Sequence, residues 1–130
     1  MELERVKNIN TTALAYMGDG VYEIYIRKML MEKGGVNVNL MHKEAISYVS
    51  AFAQAKAIKA MVESFLDDDE IALVKRARNH KIASKAKNAD PMTYKWATAF
   101  EALIGFLYLS ENTKRMEEVI TKAIEIIGEE

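Results

Sequence analysis

Apolar residues recur at spacings of three and four along almost the whole chain, and a single proline interrupts its 130 residues. Those spacings place side chains on one face of an α-helix, whereas no long stretch alternates as a half-buried strand would. Half of the residues are hydrophobic, and the chain is long enough to bury one sizeable core. We therefore predict an all-α fold and one domain spanning residues 1–130.

The same spacing predicts where the helices lie. The first long helix, residues 12–33, should end at Gly34-Gly35, because glycine commonly stops helices. Its predicted inward face comprises Leu14, Met17, Val21, Ile24 and Leu30. Four further helical stretches follow: 39–64, 67–79, 91–110 and 114–127. The first of them is one long helix or two helices with a bend near Ser50. Asp67 can cap the second, and Asp90 can cap the third, with Pro91 in its first turn. From His80 to Asn88 the pattern weakens, and we expect a mobile loop or a short helix.

The residue types restrict what kind of site the chain can build. Cysteine is absent, which excludes disulfides and thiolate metal sites, and two histidines make a histidine-rich zinc site improbable. A bound metal should therefore be a hard cation with oxygen ligands. No apolar run approaches the ~20 residues needed to span a bilayer, and MELERVKNIN does not resemble a signal peptide. We expect a cytoplasmic protein with no membrane partner.

Positive charge is concentrated in one segment of the chain. Residues 75–87, KRARNHKIASKAK, hold six of the 18 basic residues and no acidic one, so 12 bases face 19 acids elsewhere. We call this segment the basic strip. A basic strip on an acidic body favours a polyanionic partner met at one place, although a solvated helix end with a loop is the simpler alternative.

Two carboxylates stand where apolar residues are expected. Asp19 lies between two glycines in AYMGDGVYEIYIRKML, and Glu101 is the only charged residue in ATAFEALIGFLYL. Glu101 shares a helical ridge with Ala97 and Gly105, four residues away on either side. If the two helices cross at these small residues, the carboxylates converge.

Converging carboxylates would repel unless a cation lay between them. A divalent ion such as Mg²⁺, held by one or two carboxylates and several waters, is the natural resolution. Such an ion beside a polyanion-binding surface suits phosphodiester hydrolysis. The alternative is that each acid pairs with a basic side chain such as Arg27 or Lys95.

The acidic run 67–69 is better explained as a helix cap than as a metal site.

These stretches also resemble a known family. LAYMGDGVYEIYIR, VKRARNHK and ATAFEALIGFLYL occur in the order and spacing of the ribonuclease III catalytic domain, most closely its reduced bacterial form, which lacks the double-stranded-RNA-binding domain. The resemblance implies that Asp19 and Glu101 bind a catalytic Mg²⁺ and that a water on that ion is the nucleophile. This chain departs from the larger relatives at three positions: Ala15 and Thr98 replace acids, and Gly20 replaces the usual alanine. With fewer acidic ligands, the number of catalytic metal ions, one or two, stays open.

The resemblance further implies a homodimeric endoribonuclease that leaves 5′-phosphate and 3′-hydroxyl ends with short 3′ overhangs. RNA contact would then come from the catalytic domain itself, and the residues expected to provide it are Arg76, Arg78, Asn79, Lys81, Lys85 and Lys87. His80 is given no role in proton transfer. Tyr16, Met17 and Tyr22 are candidates for the dimer interface or for ordinary core.

The substrate implied by the resemblance is precursor 23S ribosomal RNA, with a ribosomal protein as a possible presenter. No residue identifies that RNA directly. Two other functions stay open from the sequence: a non-catalytic RNA-binding or ribosome-assembly protein that lost turnover when Ala15 and Thr98 replaced acids, and a helical adaptor whose buried acids are salt-bridged.

Overall fold

The computed structural model describes residues 1–80 and 90–129, and every regular element in those ranges is helical. Seven helices follow one another there: α1 (Leu3–Lys7), α2 (Thr11–Glu32), α3 (Val38–Val49), α4 (Ala51–Ser64), α5 (Asp68–Asn79), α6 (Pro91–Leu109) and α7 (Thr113–Gly128). The all-α prediction is therefore confirmed. The short α1 was not predicted; it contributes the buried Val6 to the core.

Side-chain caps set most of the helix starts. The Asn10 side chain accepts from Ala13 N–H at 2.8 Å, and the Asp90 side chain accepts from Thr93 N–H at 3.0 Å, ahead of Pro91 in the first turn of α6. Ser50 separates α3 from α4: its backbone is extended, and its hydroxyl accepts from Ala53 N–H at 3.2 Å. The bend expected near Ser50 is thus a complete break between two helices, because the Ser50 hydroxyl satisfies a donor of the new first turn.

The acidic run before α5 is a capping box, as predicted. Asp67 accepts from Glu70 N–H and donates its own N–H to the Glu70 carboxylate, both at 2.9 Å. Arg115 on α7 adds two 2.8 Å hydrogen bonds to that carboxylate. Burial alone raises the pKa of Glu70, but the bonds from Arg115 and the Asp67 backbone outweigh it, so its pKa lies below its usual value. Helix capping therefore accounts for the acidic residues 67–70.

Helix α6 is the centre of the molecule. It packs against α2, α4, α5 and α7. Its Phe100 is fully buried and meets the ring of Tyr22 edge-on, with centroids 4.9 Å apart. Tyr22 also donates its hydroxyl to the Tyr48 carbonyl at 3.1 Å. Of the two alternatives considered for Tyr22, dimer interface or ordinary core, the structure therefore supports the core.

Ile24 was also misplaced by the sequence prediction. We expected it on the inward face of α2, but it is 66% exposed. The buried positions Gly18, Tyr22 and Ile26 recur every four residues along α2. Ile24 lies midway between the last two, so the helical rotation turns it towards the opposite side.

Candidate active site

The crossing of α2 and α6 is a contact of glycine on glycine. A Cβ atom at Gly18 would overlap the carbonyl oxygen of Glu101 and lie 2.8 Å from the Gly105 nitrogen. A Cβ at Gly105 would overlap the Leu14 carbonyl and lie 3.1 Å from the Gly18 nitrogen. Only glycine at both positions allows the two backbones this close, as the small-residue pattern predicted. Gly20 has no part in the approach, because a Cβ there would meet nothing within 4 Å.

This crossing brings Asp19 and Glu101 together. Asp19 follows the contact glycine of α2 and is exposed, whereas Glu101 lies one turn before the contact glycine of α6 and is half-buried. Their side chains hydrogen-bond each other. The predicted convergence of two acids from helices far apart in sequence is therefore present in the structure.

The environment of Glu101 disfavours its ionised form. Burial, then the charge of Asp19, then the hydrogen bond to Asp19 raise the pKa of Glu101 to about 8, and a hydrogen bond from Gln54 opposes this rise. Without a cation, Glu101 is therefore mostly protonated at neutral pH and donates to Asp19. A positive ion between the two carboxyl groups would replace that proton, because opposite charge favours the ionised form.

Among the described residues, the groups that shift the pKa of Glu101 are Asp19 and Gln54, and neither is basic. Arg27, one of the alternatives considered from the sequence, instead pairs with Glu23 at 3.2 Å. Nor do three or more metal-binding side chains cluster anywhere in the described residues. The donor set is thus two carboxylates, one of them reachable from solvent, which suits a hard cation that keeps several of its waters.

Two neighbours limit how many ligands the protein itself can supply. Ala15, one turn before Asp19, is buried and offers no donor. Thr98, one turn before Glu101, donates its hydroxyl to the Tyr94 carbonyl at 3.0 Å. Its oxygen keeps a lone pair that can accept from a water.

Gln54 is a site residue that the sequence reading did not identify. It lies on α4, is 1% exposed, and hydrogen-bonds Glu101. The available signal was its polarity inside AFAQAKAIKAMV, where small apolar residues alternate with lysine. Spacing alone does not distinguish a buried glutamine from one at the edge of the helix.

The described part of the basic strip lies at the end of α5. Arg76 and Asn79 are exposed there, and Arg78 is half-buried against Trp96, with its guanidinium carbon 4.9 Å from the ring centroid. Lys59 of α4 approaches the same ring at 5.9 Å. Lys81, Lys85 and Lys87 lie outside the described residues.

Two acids paired at a glycine crossing in an all-helical domain form a candidate metal site, and comparison with known proteins identifies the class of protein. A profile of the Ribonuclease III domain matches residues 12–112. The chain belongs to the ribonuclease III family. Enzymes of this family are metal-dependent and act on double-stranded RNA, and this chain is an endoribonuclease.

Within the family, the chain groups with the Mini-ribonuclease 3 enzymes. It is 46% identical to Mini-ribonuclease 3 of Enterococcus faecalis over 124 residues, covering 95% of this chain and 94% of the relative. The Brevibacillus brevis enzyme of that name is likewise 46% identical, over 97% and 94% of the two chains. A crystal structure of a Fusobacterium nucleatum protein superposes with a TM-score of 0.80 at 30% identity, covering 92% and 95%. Within residues 1–80 and 90–129, every helix is too short or too polar to span a bilayer.

Proposed function

We propose that this chain is a homodimeric, Mg²⁺-dependent endoribonuclease whose paired carboxylates, Asp19 and Glu101, hold the catalytic ion. The observation that carries the proposal is the convergence of these two acids at the α2–α6 crossing, where their side chains hydrogen-bond each other. The raised pKa of Glu101 supports it, because an acid pair strained in the ion-free protein gains most from a cation.

The two acids have different tasks in this scheme. Asp19 is exposed and would hold the ion from the solvent side, whereas Glu101 would hold it from α6, the helix at the centre of the core. When bound, the ion would activate a water and neutralise the charge that develops on the phosphate. Thr98 can accept a hydrogen bond from a nearby water through the lone pair that its contact with Tyr94 leaves free.

RNA would bind along the basic strip beside this pair. Arg76, Arg78 and Asn79 at the end of α5 would contact phosphates and 2′-hydroxyls, together with the lysines Lys81, Lys85 and Lys87 predicted from the sequence. Trp96 supports this surface, since its ring fixes the otherwise flexible Arg78 side chain. Recognition of this kind reads the shape and charge of a duplex more than its sequence.

A second copy of the chain would cover an apolar surface on α2. Ile24 is 66% and Met31 63% exposed, and these residues lie seven positions apart on one helix face. Tyr16, two turns before Ile24, is 84% exposed. Two identical active sites related by a two-fold axis would each cut one strand of a duplex, which makes dimerisation functionally useful.

The natural substrate we propose is precursor 23S ribosomal RNA in the cytoplasm, cut in a terminal stem to leave 5′-phosphate and 3′-hydroxyl ends with short 3′ overhangs. A large-subunit ribosomal protein would be a possible presenting partner. This part rests on the relatives named Mini-ribonuclease 3 rather than on any contact in the site.

A cleavage assay tests the catalytic part of the proposal. Purified protein is incubated with a long RNA duplex in Mg²⁺ and in EDTA, and the products are resolved on a denaturing gel. Cleavage in Mg²⁺ alone supports the proposed enzyme. Binding without cleavage in either condition would instead favour the non-catalytic RNA-binding alternative.

A second assay tests the substrate. The terminal stem of precursor 23S RNA and a duplex of equal length but unrelated sequence are compared under single-turnover conditions, each with and without large-subunit ribosomal proteins. Preferred cleavage of the precursor at one position in each strand is expected. Equal cleavage of both duplexes under all conditions would refute the proposed ribosomal substrate. It would not contradict the endoribonuclease activity.

A further inference from the structure

Gln54 is an unusual residue in the core of this protein. It is 1% exposed, and in the described ranges only two other polar or charged residues, Thr11 and Glu70, are buried. Its neighbours Ala53 and Ala55 are buried as well. A side chain of similar volume without polar atoms would fill the same space, so the amide requires its own explanation.

The amide connects two places that are distant in sequence. Its nitrogen donates to the Val49 carbonyl at 3.2 Å, where α3 ends and a helical partner for that carbonyl is missing. The same side chain hydrogen-bonds Glu101 on α6. An amide nitrogen carries two hydrogens, so one group can serve both acceptors. The bond to Val49 fixes the amide, and the fixed amide then restricts the rotation of the Glu101 carboxyl group.

From this arrangement we propose that Gln54 is a positioning residue, which holds the Glu101 carboxylate in the orientation that binds the catalytic cation. The inference rests on the proposed function of Asp19 and Glu101. The Gln54 amide donates to Glu101 and would act on the ion through that carboxylate. One carboxylate oxygen is oriented by the amide, and the remaining lone pairs stay available to the cation. Residues that orient metal ligands in this way typically change metal affinity or activity 10–100-fold when removed.

Manganese binding without RNA gives a readout that is independent of cleavage. Free Mn²⁺ is measured by electron paramagnetic resonance during titration of wild type, Gln54→Met and Ser50→Ala. Gln54→Met removes both hydrogen bonds at similar side-chain length, and we expect Mn²⁺ affinity to fall roughly 10-fold or more. Cleavage should recover towards the wild-type rate at saturating metal, and duplex affinity in EDTA should be unchanged.

Ser50→Ala is the matched control. It removes the cap of α4 at the same α3–α4 junction, because its hydroxyl accepts from Ala53 N–H. A lower melting temperature with unchanged Mn²⁺ affinity is expected for Ser50→Ala. If it weakens Mn²⁺ binding as much as Gln54→Met does, or if Gln54→Met binds Mn²⁺ like the wild type, the positioning role is refuted.

Two further measurements keep the result interpretable. Glu101→Gln in the same titration should lose Mn²⁺ binding; if it does not, the proposed metal site fails and the role of Gln54 fails with it. If Gln54→Met does not fold, the Gln54 side-chain amide of the wild type is followed by NMR during a Mg²⁺ titration. Its resonances should shift with the same midpoint as those of Asp19, and a resonance that does not move refutes the proposal.

Discussion

Replacing Glu101 by glutamine should separate the two demands on this residue, folding and metal binding. The new amide matches the shape of a protonated carboxyl group: its oxygen can accept from Gln54, and its nitrogen can donate to Asp19. The variant should therefore fold like the ion-free wild type. It cannot ionise and so should not hold the cation, and cleavage should be abolished while RNA binding stays largely intact.

The raised pKa of Glu101 sets the size and sign of a stability effect. Its pKa is about 8 in the folded protein, against an ordinary value of 4.5. Well below pH 4.5 the Glu101 carboxyl group is protonated in both the folded and the unfolded state, so it does not lower the free energy of unfolding. As pH rises towards 8, the unfolded chain releases the proton and the folded chain keeps it, so the free energy of unfolding falls by about 1.4 kcal/mol per pH unit at most. Relaxation of the site reduces this slope. We expect the free energy of unfolding of the wild type to fall by about 2–4 kcal/mol between pH 5.5 and pH 8.5 because of Glu101.

Chemical denaturation in EDTA at a series of pH values measures the effect. The difference in the free energy of unfolding between Glu101→Gln and the wild type should grow by about 2–4 kcal/mol from pH 5.5 to pH 8.5, with the variant the more stable. Added Mg²⁺ should stabilise the wild type at pH 8.5 and leave the variant unchanged. Glu23→Gln, which alters a surface pair with Arg27 on α2, is the control and should follow the wild type within about 1 kcal/mol. Parallel curves for wild type and Glu101→Gln, or near-normal cleavage by Glu101→Gln, would refute this description of the site.

Other features of the structure lead to predictions of similar precision. The glycines that flank Asp19 should respond oppositely to alanine: Gly20→Ala should stabilise the protein by about 1 kcal/mol in thermal unfolding, whereas Gly18→Ala, whose Cβ collides with the α6 backbone, should lose about 3 kcal/mol or fail to fold. Equal effects would contradict the crossing geometry. Arg78→Gln should weaken duplex binding and reduce the salt dependence by about one unit of slope for one lost phosphate contact; an unchanged slope would move the RNA surface elsewhere. Ile24→Glu should dissociate the dimer in sedimentation analysis, while Tyr108→Glu, 48% exposed on α6, should not. A variant Ile24→Glu that remains dimeric would exclude the α2 surface as the interface.

The helices could be read from local chemistry because their ends are determined locally. The capping box at Asp67 and Glu70, and the cap at Asp90 before Pro91, were expected from the sequence and are present. Such signals need no partner from another element, since the capping side chain lies within three residues of the donors that it satisfies. The break at Ser50 was only partly anticipated, because continuing a helix through a serine differs little in energy from restarting it there.

The orientation of the helices was harder to predict. Ile24 and Tyr22 are only two residues apart and both largely hydrophobic, yet the aliphatic Ile24 is exposed and Tyr22, which carries a hydroxyl, is fully buried. The sequence assigned Ile24 to the core and left Tyr22 open between an interface and the core. A helix that is apolar on more than one side does not specify which side meets its neighbour, and only the packing of α2 against α6 decided this.

The sequence by itself determined the helical class, the ends of the long helices α2, α5, α6 and α7 to within a residue or two, and the two acids that are out of place in apolar surroundings. It also determined that Asp19 and Glu101 stand beside small residues, which made their convergence predictable. Tertiary structure alone decided that Gly18 and Gly105 form the actual crossing, that Gly20 does not contribute, and that Gln54 reaches Glu101 from a third helix. The physical reason is range: caps and periodicity act over one or two turns, whereas the environment of Glu101 is assembled from helices far apart in the chain.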